Sequence, residues 1–186
     1  MLQALSNTIT AFGLSASAGL NAYIPLLIVA LLGRFTQLIH LKPPFDALTN
    51  VWVMILLFIL VLIEALVDKI PAVDTINNIF QTFVRPAAGA ILFAASSNVV
   101  SGIHPVLALI CGILVAGTVH VSKSAARPLI TMATAGAGNP VVSAAEDVVS
   151  ALASLLSILI PALALICIAI GILLIVRALR SNRART

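Results

Sequence analysis

From Val51 to Ile63 the chain carries no charged residue, and uncharged apolar stretches recur at 105–119 and 158–176. A helix crossing the ~30 Å hydrocarbon core of a bilayer needs ~20 mostly apolar residues, and its own hydrogen bonds must satisfy the backbone where no water is present. Repeated stretches of this kind leave little room for another fold. Hydrophobic residues make up 61% of the 186 and charged residues only 9%, against ~25% charged in soluble domains. A soluble domain of this length could not bury so much apolar surface. The expectation is an all-α fold: a polytopic transmembrane helix bundle with broken or re-entrant helices and a short interfacial helix, with the lipid bilayer as its principal partner.

The charges sort by position. Six acids stand against ten Lys and Arg, a formal net charge of +4, and Arg177, Arg180, Arg183 and Arg185 all fall in the last ten residues. A short basic segment after an apolar run stays on the cytoplasmic side, since translocating clustered positive charge is disfavoured. It also attracts anionic lipid headgroups. No aromatic residue is interleaved with these arginines, so no nucleic-acid partner is expected. The resulting division is a single integral membrane domain over 1–176 and a basic cytoplasmic tail over 177–186, in a multi-pass protein of a cell inner membrane. The N-terminal stretch lacks the basic n-region and small-residue cleavage site of a signal peptide, so the first helix is expected to be retained. Cys111 and Cys167 lie far apart within apolar runs. They fit small buried hydrophobes and make no zinc motif; neither a metal nor another cofactor is expected.

The first apolar segment, Leu2–Gly33, is interrupted by GLSASAGLNAY, where small residues precede Asn21 and Tyr23. After a polar loop, the second segment, Val51–Asp68, has to stop before Pro71, because proline disfavours helix in the residue preceding it. Asp74 is then placed to cap a short helix. In it Ile76, Ile79, Phe80 and Phe83 share one face, the pattern of a helix lying on a membrane surface. A third segment, Pro86–Ser97, is alanine-rich and short for a crossing unless Asn98–Val100 extends it. A fourth, Pro105–Val121, leads into HVSKSAARP. The stretch MATAGAGNPVVSAAED, with Gly136, Gly138 and Pro140, reads as a loop. The last run, Ser143–Val176, holds 34 residues. As one helix it would measure ~51 Å, too long for the bilayer core, so a break at Pro161 is expected between a buried half-helix Ser143–Ser157 and a span Ile158–Arg177. Four to six crossings fit these segments. ASAGLN (16–21) and TAGAGN (134–139) are alike, each a small-residue run ending in asparagine, Asn21 and Asn139. Helix breaks at corresponding places in two halves of a chain mark transport sites, although close helix packing also explains such runs.

Outside the tail and the first loop, most charges are placed to converge. Glu64 and Asp68 are four apart and share a helix face, with Lys69 beside them. His120, Lys123 and Arg127 form a basic stripe at i, i+3 and i+7. If the third segment crosses fully, segments two and four end on one side of the membrane, near Arg85 and near Glu146 and Asp147. The acidic pair and the basic stripe would then meet, and ionisable groups inside a membrane point to function by default. Plainer readings stand beside this one. Glu64, Asp68 and Lys69 fit a solvated helix terminus; Ser143-x-x-Glu146 fits a capping box. Lys123 and Arg127 fit side chains reaching for lipid phosphates, His40 a loop, and His104 the start of a helix.

EALVDKIPAVD, RPAAG (85–89), HVSKSAAR, SAAED and SASAGLNAYIPLL together resemble a bacterial family, domain of unknown function 4126, over nearly the whole chain. The chain departs from the family pattern at Asn77–Asn78, where an acidic residue is more usual, and at TAGAGNP. The resemblance implies a multi-pass integral membrane protein and carries no substrate with it.

Three functions are compatible with these residues. The leading expectation is a small transporter or channel-like permease whose path involves Glu64, Asp68, Lys69, Arg85, His120, Lys123, Arg127, Glu146, Asp147, Asn21 and Asn139. An ion or proton suits the acids, and an anionic lipid headgroup suits the basic stripe. The alternative is a structural or assembly subunit of a membrane complex, a homo-oligomer included, docked through its small-residue faces. A membrane-embedded lipid-modifying enzyme is the second alternative. Against it, Lys123-x3-Arg127-Pro128 is too tight for a phosphatase motif, and no His-Glu-x-x-His occurs. No catalytic residue is expected.

Overall fold

The computed structural model describes residues 2–67, 71–97 and 104–160. The elements are α1 (Leu2–Leu20), α2 (Tyr23–Phe35), a 3-10 turn (Phe45–Thr49), α3 (Val51–Val67), α4 (Pro71–Ser97), α5 (Pro105–Thr134) and α6 (Asn139–Ile160). No strand occurs among the described residues. The all-helical bundle expected from the apolar segments is what forms. Ile79–Ser96, Pro105–Thr134 and Asn139–Ile160 are each long and apolar enough to cross a membrane. α2 and α3 are apolar but shorter; the 13 residues of α2 rise only ~20 Å.

Several helix ends differ from those expected. The run GLSASAG stays helical, and the first break comes at Asn21 and Ala22. There the Asn21 Oδ1 accepts hydrogen bonds from the amides of Tyr23 and Ile24, at 3.0 Å each, offering the backbone an end that the small residues do not. Pro71 opens α4 instead of preceding it, since a first-turn proline lacks only an N–H that has no helical partner there. Asp74 therefore lies in the first turn, and the amphipathic stretch and the third segment make one 27-residue helix with Pro86 inside it. Interior proline is tolerated where neighbouring helices surround the freed backbone; Gly117 of α5 stands opposite the Pro86 ring. α5 also runs on through HVSKSAARP to Thr134, with Pro128 inside.

The expected loop contracts to residues 135–138. Ala135 (φ 51°) and Gly136 (φ 85°) adopt left-handed conformations, and their amides return to the Thr131 carbonyl, closing α5 in the manner of a left-handed helix cap. Ser143 is thus inside α6 and is not its cap. His104 does start α5, its Nδ1 accepting from the Val106 amide at 3.3 Å. The break at Pro161, the extension over Asn98–Val100, Cys167 and the tail 177–186 lie outside the described residues.

α1, α4, α5 and α6 pack on one another through small and hydroxylated residues. Ser15 Oγ donates to the Gly89 carbonyl at 2.8 Å, and Ser150 Oγ to the Ser17 carbonyl at 3.0 Å. Thr10 Oγ1 donates to the Ser157 carbonyl at 2.8 Å. With Phe12 against Phe93 and Arg85 against the Gly19 carbonyl, these pairings run α1 antiparallel to both α4 and α6. Where α4 crosses α5, Gly89 and Gly112 meet backbone to backbone: a Cβ on Gly112 would strike the Gly89 carbonyl and the Ala90 Cα. Such contact provides dispersion that the hydrophobic effect cannot supply between helices in lipid. Leu14, Ala18, Leu26, Val29 and Leu92 fill the core around these contacts. α3 lies at the edge, with only Leu57 and Glu64 buried and Trp52, Leu56, Phe58 and Leu66 exposed, as a lipid-facing helix requires.

Gly112→Ala is expected to lower stability by about 1–3 kcal/mol through overpacking, read as an earlier midpoint when the detergent-solubilised protein is titrated with SDS. Gly117→Ala, whose Cβ would find its nearest neighbour, Pro86 Cγ, at 3.9 Å, is expected to stay within about 0.5 kcal/mol.

Candidate functional site

The break after α1 creates a problem that the surrounding charges solve. A helix that stops leaves its last carbonyls without helical partners, and in a membrane interior no water is at hand to take them. Two cations do so here. Lys123 Nζ of α5 donates to the Leu20 carbonyl at 3.0 Å, and Arg85 Nη1 of α4 lies 3.5 Å from the Gly19 carbonyl. Positive charge is also the sign favoured at a helix C-terminus, by roughly 0.3–1 kcal/mol per contact.

Each cation has an acidic partner. Arg85 Nη2 pairs with Glu64 Oε1 of α3 at 3.0 Å, and each side chain is 1% exposed. Lys123 Nζ pairs with Glu146 Oε2 of α6 at 2.7 Å, and Arg127 Nη2 reaches the same oxygen at 3.7 Å. Arg127 also donates to Ser143 Oγ. Glu146 and Lys123 are less sealed than the first pair, at 15% and 4% side-chain exposure. The network is therefore graded, from a dry end at Glu64–Arg85 to a more open end at Glu146.

His120 joins the dry end. Arg85 Nη1 is 3.3 Å from His120 Nδ1, and a guanidinium can only donate, so Nδ1 is the acceptor. Nε2 then carries the ring proton and donates to Thr82 Oγ1 at 3.1 Å. Asn21 ties the break to α6: while Oδ1 caps α2, Nδ2 donates to Asp147 Oδ1 at 2.9 Å.

The structure thus gathers Asn21, Glu64, Arg85, His120, Lys123, Arg127, Glu146 and Asp147 around one helix break. Among the described residues, Lys123 and Arg127 meet Glu146 while Glu64 pairs with Arg85, a pairing the spacing alone did not indicate. The continuity of α4 through Pro86 explains this by carrying Arg85 into the bundle rather than leaving it at a helix start. Asn139 stands apart at the head of α6, its side chain bonded to Thr131 Oγ1 at 3.0 Å. Asp68 and Lys69 lie outside the described residues. His40 is in an exposed loop. Sequence reasoning missed the Leu20 and Gly19 carbonyls, which leave no trace in side-chain identity, and also Thr82, Gln81 and Tyr23. Thr82 and Gln81 stand three and four residues before Arg85, so helical spacing places them on its face.

Over residues 8–181 the sequence matches the family described as Domain of unknown function (DUF4126). The chain belongs to the DUF4126 family. Neither the curated proteins nor the solved structures give a match. This DUF4126 chain is accordingly a membrane-type helical protein, and its chemistry has to be read from its own residues.

Arg85→Met is expected to cost about 3–5 kcal/mol, because it strips the guanidinium from a buried carboxylate. Glu64→Leu in the same chain is expected to recover at least half of that loss in SDS-unfolding midpoints. Additive losses would show that the two side chains do not act as a pair.

Proposed function

We propose that the protein is a small membrane transporter or channel-like permease whose solute path runs through the graded charge network at the α1–α2 break. The observation that carries this reading is the meeting of a broken helix with a ladder of charges. The ladder comprises Glu64, Arg85, His120, Lys123, Glu146 and Arg127, contributed by α3 to α6. Irregular backbone at membrane depth is tolerated where it is enclosed by protein or lines a polar cavity, and broken helices are where transporters place their sites. Buried ion pairs contribute little net stability in exchange for their desolvation, and holding helices together does not by itself call for six ionisable groups graded from a sealed to a more open environment.

The reading as an assembly subunit draws less support. Its basis was small-residue faces free to dock other helices, yet Gly19, Gly89, Gly112 and Ala116 are spent on contacts within the chain. An ion, a proton or an anionic lipid headgroup are the solute classes that suit the network. The orientation we propose puts the basic tail 177–186 on the cytoplasmic side of a cell inner membrane.

The test is reconstitution into liposomes with dyes for pH, Na+, K+ and chloride and an assay for inorganic phosphate. At least one solute is expected to move faster than in protein-free liposomes. Glu146→Gln and Lys123→Met are each expected to reduce that flux at least tenfold at unchanged yield. No movement of any of the five, together with no exchange of a fluorescent anionic lipid between the leaflets of the same liposomes, would remove the proposal.

A further inference from the structure

At the Glu64–Arg85 pair are two buried polar atoms, Gln81 Oε1 and Arg85 Nε, that no group among the described residues satisfies. Gln81 Oε1 lacks a donor and Arg85 Nε lacks an acceptor, although Gln81 is 2% exposed and Arg85 1%. Leaving such atoms bare carries the full cost of taking them out of water. The two residues are four apart on α4 and so share a helix face. One atom needs a donor and the other an acceptor, which is the complement of a water molecule; buried waters are held by two to four polar partners of this kind. Tyr23 of α2 widens the polar wall, its hydroxyl beside the Gln81 amide.

The charges around this spot restrict what else could occupy or pass it. Arg85 and the Nε2–H donor of His120 oppose a metal cation, which would have to shed its hydration beside a guanidinium. Glu64 and the Gln81 carbonyl oppose an anion. A proton is different, because a carboxylate takes it up covalently and water passes it on by exchanging one O–H bond for another. We propose that Tyr23, Gln81 and Arg85 hold internal water that delivers protons to and from the Glu64 carboxylate, making the proton the transported species. This rests on the transport reading above. In the step, an O–H bond forms at Glu64 as one breaks on the adjacent water, which takes a replacement proton from hydronium arriving on its other side, so that the water is regenerated and the neutral acid loosens its pair with Arg85. The reverse step restores the carboxylate and the pair. No electron is exchanged.

The test uses the full chain in liposomes loaded with the pH dye pyranine, with a potential imposed by a K+ gradient and valinomycin. The wild type is expected to change internal pH at a rate independent of whether Na+, choline or chloride is present. Gln81→Met, which keeps the volume and removes the amide, is expected to slow this at least tenfold at unchanged yield and elution volume. Gln81→Asn, which withdraws the amide by one methylene, is expected to slow it at least threefold and serves alone if the Met variant aggregates. Proton flux unaffected in the variants would overturn the water site. Flux of Na+, K+, chloride or phosphate without proton flux would overturn the assignment of the proton while leaving a transporter. No flux of any solute would overturn both.

Discussion

A helix that ends inside a bundle has to place its carbonyls somewhere, and in this protein the end of α1 depends on Lys123 and Arg85. The rest of the charged architecture follows from that requirement. A lysine and an arginine buried inside a bundle need counter-charges, and α6 and α3 supply Glu146 and Glu64. The asparagine at the break completes the arrangement by capping the helix that begins and bonding the acid beside Glu146. The same side chains thus close a backbone defect and line up ionisable groups from a sealed to a more open environment.

The network also explains how a peripheral helix is held. α3 turns most of its surface outward, and Glu64 is its one buried polar residue. Lipid tails are as apolar as leucine, so apolar contacts alone give such a helix little reason to choose one azimuth over another. An ion pair with Arg85 fixes that choice. By contrast, α1, α4, α5 and α6 are joined by close backbone approach at Gly89 and Gly112 and by hydroxyl-to-carbonyl bonds from Thr10, Ser15 and Ser150. One part of the bundle is locked by shape and the other is attached by charge.

Much of the architecture was legible in the sequence because lipid imposes a strict rule on composition. Uncharged runs located α3 and α5, the half-helix expected over Ser143–Ser157 falls within α6, and the small-residue run ending at Asn21 pointed to the first break within a few residues. The convergence of Glu64, Arg85, Lys123, Arg127, Glu146 and Asp147 was readable from helix spacing and antiparallel order. The partner choice was not. It depended on whether Pro86 ends a helix or sits within one, and a proline's local penalty is small beside the packing that surrounds it in a bundle. The amphipathic turns before Pro86 read as a separate surface helix for the same reason. The backbone carbonyls of Gly19 and Leu20 were out of reach because their role comes from where α1 stops, not from which residues stop it.

The central claim is that the charges around the α1 break line a path that water can enter, and reactivity of a thiol placed there tests it most directly. With Cys111 and Cys167 changed to serine, Ser143→Cys puts a single thiol against Arg127 at the more open end of the network. A membrane-impermeant methanethiosulfonate is predicted to label it in sealed vesicles from one side only. The same substitution at Ser154, which is fully buried between helices, is predicted to stay unlabelled. A thiol at 143 inert from both sides, in a protein that remains folded, would show a closed structural network and contradict the account.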